Sequence, residues 1–383
     1  MSQTLENPSE VQVPAASRSE RIRSFSVADF PQVTGREEEW RFTPVRKLSD
    51  LMEDAGTGEK LALQQDLPAG VSCEAIDAAA AQQLGALTPE DRPAAIAANQ
   101  APGVLHYDVP AGTELDAPVI IHADGVDGQT VHGQVLVTIG TNAKATIVVE
   151  HEGRARYSEH VSILVGAGAE VTFATIQLWE DGSVHLGQHD ALVGKDAQFK
   201  HIAISLGGDI VRLNSNVRYD GPGGEAELLG LYFADAGQHL EHRTYIDHNT
   251  PKATSNVLYK GALQGTDARS VWIGDVLIRP EALGIDTYEL NRNLILTAGA
   301  RADSVPNLEI ETGEIEGAGH ASSTGRFDEE HLFYLMSRGI PEVVARRLVV
   351  RGFFNEVIQQ IRVPEIEDVL NEQIEEELSR SML

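Results

Sequence analysis

The sequence predicts a mostly β protein: a repetitive β-core between an N-terminal and a C-terminal helical region. Three observations carry this. From about Val104 the apolar residues alternate, as at Val135, Val137 and Ile139, at Ala145, Ile147 and Val149, and at Val161, Ile163 and Val165. A period of two puts each trio on one face of a strand. Second, the tetrapeptide Gly-x-x-Ala recurs at Gly140, Gly166, Gly194, Gly223, Gly265 and Gly299, at intervals of 26, 28 and 29 residues and then 42 and 34. That spacing points to a solenoid whose repeats bury their faces on one another. A β-sandwich, which also has short strands and Gly turns, is the alternative the loose period leaves open. Third, no amphipathic helix interrupts the chain until after Gly325.

Taken in order, residues 1–27 are polar and read as a disordered tail. Residues 28–103 read as an N-terminal helical region, with Trp40 and Phe42 as packing anchors. Its clearest helix start is Thr88-Pro89-Glu90-Asp91, with Thr88 as N-cap and Pro89 in the first helical position. Residues 104–325 form the β-core, where Gly of each repeated turn allows a left-handed residue and Ala fits the crowded corner. Residues 326–383 are helical. Asp328 is the expected N-cap of the first helix, Gly339 ends it and Pro341 opens the second. That second helix carries Val344, Leu348, Val349, Val350, Phe353, Phe354, Val357 and Ile358. This is more apolar surface than one face needs, so part is expected to meet the β-core and part a partner. The last segment, from Pro364, is an acidic amphipathic helix.

Composition narrows the function. With 58 acidic against 30 basic residues, the formal net charge of -28 repels phosphate backbones and anionic lipids, so neither nucleic acid nor membrane is an expected partner. The start carries no apolar signal-peptide core and no run is long enough to span a bilayer, so a cytoplasmic location is expected. A lone cysteine, Cys73, can neither close an internal disulfide nor supply a four-thiolate metal site.

Catalytic motifs are missing. There is no P-loop, no Gly-x-Ser-x-Gly elbow and no His-Glu-x-x-His. Gly221-Pro-Gly223-Gly224-Glu-Ala226 spells a dinucleotide fingerprint but leads into a strand-like run, with no helix N-terminus for a pyrophosphate. Thirteen histidines invite metal readings. His185 and His189 would share a face of a strand, whereas His239 and His242 would point to opposite faces. Both pairs read better as ordinary histidines of a β-domain than as a metal site. His320 stands in Gly317-Ala318-Gly319-His320-Ala321-Ser322, among residues too small to bury it. Its imidazole can be an exposed structural group, face a partner or reach a metal.

Several long motifs now line up in order. Asn307-Leu308-Glu309-Ile310, Gly319-His320, Gly325-Arg326 with Asp328-Glu329, Ser337-Arg338-Gly339-Ile340-Pro341 and Arg351-Gly352-Phe353-Phe354 follow one another. Upstream lie His248-Asn-Thr-Pro-Lys-Ala-Thr-Ser255, Tyr259-Lys260-Gly261 and Glu38-Glu39-Trp40-Arg41-Phe42-Thr43. Together they resemble the SufB/SufD family, scaffold subunits of the SUF iron–sulfur cluster assembly machinery. The resemblance covers most of residues 35–360. It implies a right-handed parallel β-helix core flanked by N-terminal and C-terminal helical domains.

It also implies partners: a SufB-like paralogue paired through the β-helices, and a SufC-like ABC ATPase docked on the C-terminal helices. Asp328, Phe333, Arg338, Gly339, Pro341, Arg351, Phe353 and Phe354 are then the expected docking residues. SufB-like proteins are longer and carry cysteines, so a thiol-free β-core fits SufD better, because thiolates are the usual cluster ligands. His320 occupies the SufD motif position proposed to face the SufB cysteine, and Ala318 stands where some relatives have a cysteine. The implied function is a non-catalytic scaffold holding a nascent Fe–S cluster or iron transiently, shared with the partner; a flavin has also been suggested to visit such complexes. The competing readings are a secreted-type β-helix carbohydrate-active enzyme, with acids such as Asp235 and Glu241 moving protons, and a homodimeric β-helix scaffold.

Overall fold

The computed structural model describes residues 21–125, 129–326 and 329–380. The chain opens with short 3-10 turns, two short strands, β1 (Ala62–Asp66) and β2 (Ser72–Ile76), and two helices, α1 (Ala78–Gln83) and α2 (Arg92–Gln100). An unbroken series follows: β3 (Val104–Val109), β4 (Val119–Asp124), β5 (Thr130–Ile139), β6 (Lys144–Glu152), β7 (Arg156–Val165), β8 (Glu170–Gln177), β9 (Val184–Gly194) and β10 (Gln198–Ser205). It continues through β11 (Ile210–Asp220), β12 (Glu225–Ala234), β13 (His239–His248), β14 (Thr254–Leu263), β15 (Arg269–Ile278), β16 (Asp286–Ile295), β17 (Arg301–Ile310) and β18 (Gly317–Arg326). Three helices end it: α3 (Glu329–Ser337), α4 (Glu342–Ile358) and α5 (Pro364–Arg380).

Successive strands alternate between two nine-stranded sheets, one ordered β1-β4-β6-β8-β10-β12-β14-β16-β18 and the other β17-β15-β13-β11-β9-β7-β5-β3-β2. From β3 onward each strand pairs in parallel with the strand two places later, without register slips, as in His201↔Leu228 and Leu228↔Val257. This is a β-solenoid of about 8 turns. A sandwich of antiparallel sheets is excluded by the parallel ladders. Only β1 on β4 and β2 on β3 run antiparallel, closing the N-terminal end.

The repeated tetrapeptide is the corner. Ala143, Ala169 and Ala197 donate their N–H groups to the carbonyls of Gly140, Gly166 and Gly194, at 3.1, 3.1 and 3.2 Å. The left-handed residue of these corners is the third, Asn142, Gly168 or Asp196. The first glycine is needed for closeness: a Cβ on Gly140 would lie 2.3 Å from the Ala111 nitrogen of the preceding corner. The lumen is an apolar core from Tyr107 to Ile285. Its large rings fit because glycines face them; a Cβ on Gly230 would meet Tyr259 at 2.0 Å and one on Gly261 would meet Tyr232 at 1.9 Å.

Both outer faces are partly covered. α2 lies over β5, β7 and β9. α4 and α5 bury Val350, Phe354, Val357, Ile366, Leu370 and Ile374 on the outward residues Ile202, Ile204, Leu229, Leu231 and Phe233. β9 is therefore buried almost throughout, which erases the simple alternation expected of a strand with one wet face.

The N-terminal region differs from expectation. The N-cap of α2 is Asp91, whose Oδ1 accepts from Ala94 N–H at 3.0 Å, and Thr88 and Pro89 precede the helix. The Asp91 side chain caps the Ala94 N–H and Pro93 sits in the first turn, so the helix starts here and not at Thr88. β1 and β2 stand where helices were expected; β1 is exposed along its whole length and β2 nearly so, so neither shows the apolar alternation of a buried strand. Residues 21–27, expected as tail, lie against the solenoid. Arg23 Nε donates to Glu90 at 2.7 Å and Arg21 packs over Tyr245 at 3.5 Å.

Candidate functional site

The C-terminal end of the solenoid carries His320. β18 pairs with β16 and places His320 opposite Glu289, which pairs in turn with Val257. Parallel partners share a face, so His320 belongs to the row that faces the lumen: Leu228, Val257 and Glu289 below it are all buried. His320 is exposed because it stands on the last rung of that sheet. Its neighbours Ala318 and Gly319 leave it uncovered. β17 is the last rung of the other sheet, and both final strands are ten residues long and partly to fully exposed. Among the described residues each presents an unpaired backbone edge, the usual template for adding a strand. Cys73, the sole thiol, lies on β2 at the far end of that sheet from β17. Eight strand spacings of ~4.8 Å put it ~38 Å away.

Beside this end, α3 and α4 form a hairpin turned through Gly339, whose positive φ of 85° closes α3. Leu332, Ala345, Val350 and Phe354 are buried in the cluster that joins the helices to the solenoid, while Phe333, Tyr334, Met336, Val343, Val344 and Leu348 are exposed. Phe333 is the extreme, at 73%. Arg338, Gly339, Pro341 and Arg351 are also exposed. Phe353 is half-buried and stacks near the Lys260 ammonium, which donates to the Phe353 carbonyl at 2.9 Å. Phe354, expected as a docking residue, is fully buried, its ring centroid 6.2 Å from that of Phe233. It anchors the helices to the solenoid and is not available to a partner. Asp328 lies outside the described residues.

A second cluster lies inside the lumen, where no metal site was expected. Glu159 Oε1 accepts from His185 Nε2 at 3.0 Å and from His189 Nε2 at 2.9 Å, and Oε2 accepts from the Tyr157 hydroxyl at 3.2 Å. The His151 Nε2 atom lies 3.9 Å from Oε2. All are fully enclosed. Burial opposes ionisation of Glu159, but the His185 and His189 hydrogen bonds overcome it and hold the carboxyl well below its usual range. Burial likewise pushes His151 down to about 3, so its ring is neutral. Sequence reasoning had one unused signal here. Tyr157 and Glu159 continue the every-second-residue row of Val161, Ile163 and Val165, which places a carboxylate on the inward face.

The remaining candidates separate. His242 faces the lumen between Tyr232 and Tyr259, whereas His239 faces outward and donates to Glu241 at 3.1 Å. Glu241 is sealed under the N-terminal segment, accepting from the Thr43 hydroxyl at 2.7 Å. Burial alone would raise its carboxyl, but His239, Arg212 and Arg243 bring it down to about 2. Asp235 occupies a turn, its carboxylate bonded to the Ala236 N–H. These two acids therefore do not share a substrate groove. Gly221-Pro-Gly223-Gly224 is a turn into β12, with no helix behind it. Among the described residues no helix is long and apolar enough to cross a membrane.

Comparison with known proteins agrees with the motifs. The SUF system FeS cluster assembly SufBD core domain matches residues 120–353, which is the solenoid from β4 onward plus α3 and much of α4. The chain belongs to the SufBD family. It is 48% identical to the iron–sulfur cluster assembly SufBD family protein of Mycobacterium leprae, over 95% of each chain. Against the Mycobacterium tuberculosis protein of the same description it is 49% identical over 95% of this chain and 94% of the relative. SufD of Escherichia coli is 26% identical over 68% of this chain and 64% of its own length. Membership places the protein in SUF-system Fe–S cluster assembly.

Proposed function

We propose that this SufBD family chain is a SufD-type, non-catalytic scaffold subunit working in the cytoplasm. It pairs with a SufB-like paralogue through the open edges of β17 and β18. It docks a SufC-like ABC ATPase on the exposed face of the α3–α4 hairpin, and ATP hydrolysis belongs to that partner. His320 supplies an imidazole to a nascent Fe–S cluster or iron held at the paired ends. One observation carries this: an exposed histidine on the last lumen-facing rung of one sheet, in a chain whose sole thiol lies at the opposite end of the other sheet, ~38 Å from its last strand β17. Imidazole alone holds iron weakly, so the site needs the partner's thiolates.

The test is an anaerobic pull-down of the tagged chain from its own cells, with the co-eluting proteins identified and the assembly weighed. An ABC-type ATPase and a longer, cysteine-bearing paralogue are expected. Recovery of the chain alone, or only with itself, overturns the pairing. In the assembled complex, His320→Ala is expected to leave folding and partner recovery intact and to lower cluster yield. An unchanged yield removes the ligand role.

A further inference from the structure

We propose that the lumenal cluster of His151, Glu159, His185 and His189 is a binding site for one first-row divalent cation, ferrous iron or zinc, separate from His320. The ligand atoms of His151, Glu159 and His185 all lie within 4.8 Å of one another, and His189 joins these three through its 2.9 Å contact with Glu159. Four-coordinate bonds of ~2.0–2.1 Å need ligand–ligand edges of ~3.3 Å. The nitrogens approach Glu159 to within range of that value, His185 at 3.0 Å and His189 at 2.9 Å from Oε1 and His151 at 3.9 Å from Oε2. Three imidazoles and one carboxylate form a donor set suited to zinc or iron. Six strand spacings of ~4.8 Å separate β6, which carries His151, from β18, so the site is ~29 Å from His320.

Hydrogen bonding leaves one part of this cluster unmet. The His151 Nδ1–H donates to the Ile176 carbonyl at 3.3 Å, which leaves Nε2 a bare lone pair. That lone pair faces a carboxylate oxygen across 3.9 Å, acceptor against acceptor. A cation in the gap turns the repulsion into two bonds, and a ring N–H on a backbone carbonyl is the usual support of a metal-bound histidine. A cavity of about 140 Å³ reaches this point from the N-terminal end, past Leu63, Leu105 and Ile121, and ends on His151, Glu159 and His189.

Metal binding also requires His185 and His189 to move their protons from Nε2 to Nδ1. His189 has an outlet. Its Nδ1 lies 3.0 Å from His201 Nε2, and the other nitrogen of His201 is buried with no partner among the described residues, so His201 can switch tautomer in step. His185 is opposed: the Trp179 Nε1–H donates to its Nδ1 at 3.2 Å and favours the tautomer that cannot bind metal. Trp179 thus sets the affinity of the site, a role that a purely structural hydrogen-bond network does not give it.

The test uses the full chain and three metals, Fe(II), Co(II) and Zn(II), offered anaerobically both to the native protein and during refolding. One equivalent per chain is expected, with Co(II) giving the visible bands of a four-coordinate N/O site. Glu159→Gln should weaken binding by more than the ~10–100-fold typical of losing an outer-shell partner. Trp179→Phe should tighten it several-fold, and His320→Ala should leave it unchanged. Circular dichroism checks that each variant folds. If Glu159→Gln does not fold, His151→Phe, which keeps a ring among Tyr157 and Trp179, replaces it. The proposal is overturned by no stoichiometric binding under either loading condition, by unaltered binding in the ligand variants, by loss of binding in His320→Ala, or by weaker binding in Trp179→Phe.

Discussion

Phe354 and Phe333 stand 21 positions apart and are predicted to fail in opposite ways. Phe354→Ala removes a ring that is fully buried between the helices and the outer face of β12, against Phe233. Phe→Ala in such a place costs ~3–5 kcal/mol, the transfer of the lost atoms plus the cavity left behind. Part of that cost falls on the docking of α4 and α5 to the solenoid. At ~1.4 kcal/mol per decade, the undocked population rises ~100-fold or more. Phe333→Ala trims a side chain that is 73% exposed and should change stability by less than ~0.5 kcal/mol. If Phe333 is a docking anchor, the same change should weaken ATPase binding by ~2 kcal/mol or more, about 30-fold. Hydrogen exchange of α4 and α5 reads the first effect, and calorimetric titration with the ATPase reads the second. Unchanged exchange in Phe354→Ala would refute the anchoring role, and unchanged affinity in Phe333→Ala would refute the docking face.

Two further perturbations test the lumen. Gly261→Ala places a methyl 1.9 Å from Tyr232, and overpacking of this kind costs ~1–3 kcal/mol, visible as a lower urea midpoint. His151, His242 and His248 are held neutral by burial, each down to about 3. Between that value and the unfolded pKa of ~6.5 the folded chain binds fewer protons than the unfolded one, so stability should fall as pH drops through this window. His242→Phe should flatten that acid limb. It should cost little at pH 7, because among the described residues neither ring nitrogen of His242 has a hydrogen-bond partner and both flanking rings remain. A melting temperature that falls equally steeply with acid in the variant would contradict this.

The parts of the fold with a repeating cause were legible. Alternation exposed the strands, and the corners announced themselves because each needs a small residue at a fixed place. Even so, the stated reason was partly different: Gly140 is required for the approach of Ala111, while the left-handed position falls on Asn142. β1 and β2 were illegible because their pairing is set by tertiary contact with β4 and β3 and most of their side chains stay exposed. The division of the α4 surplus into an anchoring face and an open face was foreseen in outline. Its assignment to Phe354 or Phe333 depends on helix rotation, which a list of apolar residues does not encode. The exposure of His320 was legible from its small neighbours. The lumenal cluster was not, because His151, Glu159 and His185 lie on three different strands, and their convergence is a property of the coil.

The asymmetry of the two ends has a consequence for assembly size. A rod of stacked strands with a free edge at both ends would polymerise head to tail into a filament, since nothing closes the series. Here one terminus is finished by five-residue antiparallel strands carrying Gln64, Gln65, Asp66 and Glu74. Short, polar, reversed edges are poor templates. If the ten-residue edges of the other terminus recruit another rod, as proposed, the valency of the stack is one and growth stops at a pair.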